Sequence, residues 1–150
     1  MRRLGAGGMG AVWEAEDADG LRVAMKILHP QVAADATARL RLRREASVIS
    51  RVKDRRVARV LDIETGEGED PDSWDGLTFV VTELVDGPTL SAEIDDHGVY
   101  DPATDSTELA DLAHGLSEAL EAVHEAGVIH RDLKPSNVML GAQGPVLIDF

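Results

Sequence analysis

His130-Arg131-Asp132-Leu133-Lys134-Pro135-Ser136-Asn137 is the stretch that decides how this chain is read. It is a polar run without apolar periodicity, carrying a carboxylate, an ammonium and an amide within six residues. An isolated Asp or Asn in a loop is most often a turn or cap residue. Its flanks give this one a fixed frame. Before it, Leu109, Leu112, Ala113, Leu116, Ala119, Leu120 and Val123 recur at i, i+3, i+4 and i+7, which predicts a helix. Gly127 is placed to end that helix in a left-handed cap. After it come a short apolar segment, Val138–Leu140, a turn at Gly141–Gly144, and a strand over Val146–Asp149.

Farther upstream the pattern changes. Ala11–Glu16 and Leu21–Leu28 read as two strands joined through Asp19-Gly20, with Val23, Met25 and Ile27 alternating against Ala24, Lys26 and Leu28. From Asp35 to Val52 the period is helical, with Leu42, Ala46, Ile49 and Val52 on one face and Arg39, Arg41, Arg43 and Arg44 mostly elsewhere. Val57–Ile63 and Leu77–Glu83 are runs of strand length, separated by an acidic stretch, Glu64–Gly76, that reads as a solvated loop. Strands with one helix thus precede a region of helix and loop. Asp86-Gly87-Pro88 marks the expected boundary, giving domains 1–85 and 86–150.

Composition narrows the function. The 150 residues carry a formal net charge of −13, which argues against a nucleic-acid or anionic-membrane surface. Without cysteine there can be no disulfide, thiolate metal site or cysteine nucleophile. No apolar run approaches the ~18 residues a membrane span requires, and Met1–Leu4 leads into glycines rather than a signal-peptide core.

Gly5-Ala6-Gly7-Gly8-Met9-Gly10 fits G-x-G-x-x-G and is followed by Val12. Glycines let backbone N–H groups approach phosphate closely. By itself the motif is weak, and a ligand-free glycine turn is an equal reading. A dinucleotide-binding turn would open a helix, whereas a strand-like segment follows here, and no Gly-Lys-Ser/Thr of a P-loop is present. Lys26 lies within an otherwise apolar strand, and Glu45 lies on the helix face that holds Leu42 and Ile49. A lysine in apolar surroundings is costly to desolvate without a partner, which suggests an ion pair between the two. An outward-facing lysine is the plainer alternative.

Taken together, these segments resemble the protein kinase family. His130–Asn137 matches its catalytic loop H-R-D-L-x-x-x-N, Val23-Ala24-Met25-Lys26 its lysine strand, and Ile148-Asp149-Phe150 the start of Asp-Phe-Gly. Lys134 resembles the Ser/Thr kinases, and the style of the glycine loop and of Val85-Asp86-Gly87 resembles the bacterial Hanks-type group. The resemblance implies an α+β fold: a small antiparallel sheet with one helix as the N-lobe, then the first part of a mainly helical C-lobe. It implies ATP and Mg²⁺ (or Mn²⁺) as cofactors, and a protein bearing Ser or Thr as substrate.

The implied roles fall on particular residues. Gly5, Ala6, Gly7, Gly8, Met9 and Gly10 would cover the phosphates. Lys26, held by Glu45, would pair with the α- and β-phosphates. Asp132 would take the hydroxyl proton, Lys134 would steady the transferring phosphate, and Asn137 and Asp149 would hold the metal. Leu4, Val12, Ala24 and Met139 would sandwich adenine. Glu83 and Val85 would form the hinge, with Thr82 as gatekeeper. Ile49, His130 and Phe150 would stack as a spine, and Arg131 would contact a phosphorylated activation loop.

The resemblance covers about half of a kinase domain, so residues 1–150 alone are expected to be inactive. A cytoplasmic location is expected for this part, and whether a membrane anchor lies downstream is left open. Two other readings stand beside it: a pseudokinase or interaction module, and a small-molecule phosphotransferase of similar fold. The presence of Lys26, Asp132, Asn137 and Asp149 argues against the first, and Lys134-Pro135 against the second.

Overall fold

The computed structural model describes residues 1–66 and 77–148. The chain divides into two compact units, Met1–Ser50 with Arg59–Leu84, and Arg51–Ala58 with Val85–Phe150.

The first unit is built on an antiparallel five-stranded sheet of order β1-β2-β3-β5-β4. Its strands are β1 (Arg2–Ala6), β2 (Gly10–Glu16), β3 (Arg22–Leu28), β4 (Val60–Thr65) and β5 (Thr78–Glu83). The β2–β3 turn forms where Asp19-Gly20 predicts it. Gly20 takes φ +81° and the Asp17 carboxylate accepts the N–H groups of Asp19 and Leu21 at 2.9 and 2.8 Å. Such a side-chain bond replaces strand pairing at the turn. One sheet face buries Ala15, Val23 and Val81, with Met25 and Phe79 packed against them. The register puts Val12, Ala24, Lys26, Val80 and Thr82 on the opposite face.

Two helices complete this unit, α1 (Pro30–Ala33) and α2 (Ala36–Ile49). Asp35 caps α2 by accepting the Thr37 N–H at 2.8 Å. Ala46 and Ile49 are buried while Arg41, Arg43 and Arg44 are exposed, so the helical face follows the sequence pattern. α1 was not anticipated; a four-residue helix is too short to show a period, and only Pro30 at its first position marks it.

In the second unit, α3 (Leu90–His97) and α4 (Ser106–Glu125) are followed by a 3₁₀ turn at Pro135–Asn137 and the hairpin β6 (Val138–Gly141) and β7 (Gly144–Leu147). α4 ends as expected. Gly127 has φ +78°, its N–H bonds the His124 carbonyl at 2.9 Å, and the Val128 N–H reaches back to Val123 at 3.1 Å. Ala119, Val123, Val138, Leu147 and Val57 form its most buried core. α4 meets β7 closely at Gly115, where an added Cβ would stand 2.6 Å from Pro145 Cγ.

Three expectations are corrected. β4 begins at Val60, because residues 57–58 belong to the second unit: Leu147 N–H bonds the Arg56 carbonyl at 2.7 Å and Ala58 N–H bonds the Leu147 carbonyl at 2.9 Å. Glu64 and Thr65, read as loop, complete β4 against Phe79 and Thr78, while residues 67–76 of that loop lie outside the described residues. α3 was missed, although Thr89 is a proper N-cap accepting the Ala92 N–H at 3.1 Å and Leu90 and Ile94 are four apart.

Candidate functional site

In the first unit the glycines form the tip of the β1–β2 hairpin. Gly5 and Ala6 belong to β1, and Leu4 lies in the register shift between Arg3 and Gly5, exposed. Gly7 and Gly10 bond reciprocally, N–H to carbonyl, at 2.9 and 3.3 Å, so Gly8 and Met9 make a two-residue turn. Gly10 is a glycine by necessity, since a Cβ there would lie 2.1 Å from the Ile27 carbonyl oxygen. Gly5, Gly7 and Gly8 have nothing within 4 Å of such a position, so their surface is open to a ligand.

Lys26 sits in the middle of β3, cross-strand from Val12 on one side and Val80 on the other, and is half-buried. Ala24 precedes it by two and shares its face. Glu45, also half-buried, lies on α2 beside Ala46. Thr82 and Glu83 end β5. The Glu83 N–H bonds the Arg59 carbonyl at 3.0 Å and its carboxylate meets the Arg59 guanidinium at 3.0 Å.

In the second unit His130–Asn137 is a tightly bonded loop. Arg131 has φ +63°, the one positive value of a non-glycine among the described residues, and Asp132 N–H bonds the His130 carbonyl across it at 2.8 Å. This is a three-residue turn of the strained hand, and it carries Asp132 outward. The Asp132 side chain is 62% exposed, and its Oδ2 accepts the Lys134 ammonium at 2.6 Å. Asn137 is buried and donates Nδ2 to the Asp132 carbonyl at 2.9 Å and to Oδ2 at 3.2 Å. The carboxyl is held below the usual aspartate range. The hydrogen bond from Lys134 is the main cause and partial desolvation opposes it, while the Lys134 charge, the Asn137 bond and His130 reinforce it.

The loop is locked to the hairpin that follows. Ile148 N–H donates to the Asn137 carbonyl at 3.0 Å, and the buried His130 ring places Nε2 3.3 Å from the Ile148 carbonyl. Met139, in β6, pairs with Val146 and bridges to Thr89, and Val85 lies near Gly141. Asp149 and Phe150 lie outside the described residues. The donors present suit a hard cation: Asn137 commits its nitrogen to Asp132, which leaves its amide oxygen as a ligand atom of the kind Mg²⁺ takes.

The protein kinase domain model matches residues 1–150, the full length of the chain. The chain belongs to the protein kinase family. Among curated kinases it is 38% identical over 149 residues to the probable serine/threonine-protein kinase PkwA of Thermomonospora curvata, covering 99% of this chain and 18% of that protein. It is 39% identical to AfsK of Streptomyces coelicolor, covering 99% of this chain and 17% of AfsK. The chain therefore spans about a sixth of the length of these kinases. Among solved structures, the kinase domain of Mycobacterium tuberculosis PknI superposes with a TM-score of 0.78 at 28% identity, over 99% of this chain and 57% of that one. The kinase fold is thus common to chains of quite different sequence, and the five-stranded sheet with one main helix is its N-terminal part.

Two features of this kinase chain escaped the sequence. His29 contacts the glycine hairpin, with its backbone N–H 3.0 Å from the Met9 carbonyl and Nε2 3.1 Å from the Gly7 carbonyl. Arg56 meets Glu118 of α4 at 2.5 Å. The first has a trace in the sequence, since Pro30 restricts the residue before it to extended backbone. The second has none.

Proposed function

We propose that the protein transfers the γ-phosphoryl group of ATP to Ser or Thr hydroxyls of protein substrates, as a bacterial Hanks-type kinase. The observation that carries this reading is the Asp132–Lys134–Asn137 cluster, a solvent-facing carboxylate gripped by an ammonium and a buried amide, in a chain of this family. Asp132 accepts the hydroxyl proton. A lowered pKa suits that task, because phosphoryl transfer passes through a loose transition state in which the nucleophile needs orientation more than a strong base. Lys134 shifts from carboxylate to the transferring phosphate when substrate enters. Lys26, steadied by Glu45, neutralises the α- and β-phosphates, and the Gly5–Gly10 hairpin, open at Gly5, Gly7 and Gly8, covers them. Asn137 and Asp149 would hold Mg²⁺ (or Mn²⁺), which would supply charge neutralisation to the phosphates. Leu4, Val12, Ala24 and Met139 pack on adenine, and the backbone at Glu83–Val85 reads its edge.

Supporting the choice of partner, the net charge of −13 disfavours nucleic acid, and no helix among the described residues is long and apolar enough to cross a membrane. A cytoplasmic site of action fits the use of ATP. Residues 1–150 in isolation are expected to transfer no phosphate, since they span 57% of the PknI kinase domain chain.

The test is phosphotransfer by the full-length protein with Mg·ATP to a Ser/Thr substrate, including itself, with sites read by mass spectrometry. Asp132→Asn should lower turnover by about 10³-fold, the usual scale for a general base. Turnover undiminished in that variant would overturn the assignment.

A further inference from the structure

We propose that His29 is a positioning residue that latches the Gly7–Gly8 peptide of the glycine hairpin, so that the Gly8 N–H is presented to an anionic phosphate oxygen. The inference rests on the nucleotide reading above and names a residue that reading does not use.

The backbone of His29 is determined from three sides. Pro30 confines it to extended geometry, and it has φ −62° and ψ 142°. Its carbonyl accepts the N–H groups of Val32 and Ala33, both at 2.9 Å, at the start of α1. Its own N–H donates to the Met9 carbonyl at 3.0 Å. With the main chain so fixed, the imidazole reaches the hairpin, and Nε2 stands 3.1 Å from the Gly7 carbonyl oxygen. A carbonyl oxygen only accepts, so Nε2 carries the proton.

That bond matters because of what glycine leaves undetermined. Gly7 and Gly8 both lack a Cβ, nothing lies within 4 Å of where either would be, and the peptide between them can rotate between opposed orientations at little steric cost. In a planar trans peptide the C=O and the following N–H point in opposite directions. Fixing the Gly7 oxygen on His29 therefore aims the Gly8 N–H away from His29. The hairpin's own bonds consume the N–H groups of Gly7 and Gly10 and leave those of Gly8 and Met9 at the tip. Gly7 O also accepts Gly10 N–H, but at 3.3 Å, the longer of the reciprocal pair. The imidazole is thus a second tie on a peptide that has glycine on both sides.

The experiment uses the full-length protein with two probes, Mg·ATP and adenosine. His29→Ala should weaken ATP binding and raise its KM about 3- to 10-fold, with kcat within about 2-fold and adenosine affinity unchanged. His29→Gln, which places an amide donor at similar reach, should recover most of the loss. Ring ¹⁵N shifts of the neutral His29 imidazole should report the Nε2–H tautomer. Equal loss for ATP and adenosine, no rescue by Gln, or an Nδ1–H tautomer would each overturn the latch and leave the kinase reading intact. Wild-type protein that binds adenosine but not ATP would instead sink the nucleotide reading, and this role with it.

Discussion

The glycine hairpin and the catalytic loop are both turns that present polar groups, yet they are held in opposite ways. The hairpin, Gly5–Gly10, is held by main chain: reciprocal Gly7–Gly10 bonds, with His29 behind them. Everything from Met1 to Met9 is exposed, and only Gly10 is buried. The loop His130–Asn137 is held by side chains rooted in a core, with His130 and Asn137 both buried and tied to Ile148 or Asp132. A segment with few buried contacts opens at low free energy, whereas one pinned through a core does not. In the proposed kinase reaction the difference would suit a cover that admits and releases a nucleotide, and a base that stands still while it is used.

The sharpest way to break the comparison is at Asn137. Asn137→Ala should cost turnover about 10²-fold or more and also destabilise the fold by ~1–3 kcal/mol, because it strips a buried amide from its partners. Loss of activity without any fall in melting temperature would mean that the loop is not held through its side chains. A smaller effect is expected in the hairpin, and there it should depend on backbone clearance alone. Gly10→Ala drives a methyl into the Ile27 carbonyl and should destabilise by ~1–3 kcal/mol, while Gly8→Ala meets open space and should stay within ~0.5 kcal/mol. Equal melting temperatures for the two would show that the hairpin is not pressed on β3.

The smallest effect is a matter of pH. Lys134 lowers the pKa of Asp132, so the carboxylate stays ionised to lower pH than an ordinary aspartate, and any stability it contributes is present above the unfolded-state pKa and is lost as pH falls from there through the lowered one. Lys134→Met should therefore move the acid limb of kcat/KM upward, toward the normal aspartate value. An unmoved limb would place the control of Asp132 elsewhere.

Much of this was legible beforehand because it rests on local chemistry. Asp19-Gly20 dictates a turn, Gly127 ends a helix, and the alternation through Val23–Leu28 allows only one strand face to hold Ala24 and Lys26. His130–Asn137 could be singled out because its residue types, in this order, match the family's catalytic loop. Less legible were elements whose cause is distant. The short helices α1 and α3 carry little period, and residues 57–58 read as strand until they are seen to bond Leu147.

Order along the chain thus determined the two longer helices and the strand faces, and marked out candidate residues for phosphoryl chemistry, since propensity, period and turn stereochemistry act over a few neighbours. Only the folded chain decided that Arg56 meets Glu118, that β7 lies against Gly115, and that His29 reaches Gly7 across 22 positions. Such contacts depend on how far apart in sequence two surfaces must be before packing brings them together, and no local pattern encodes that distance.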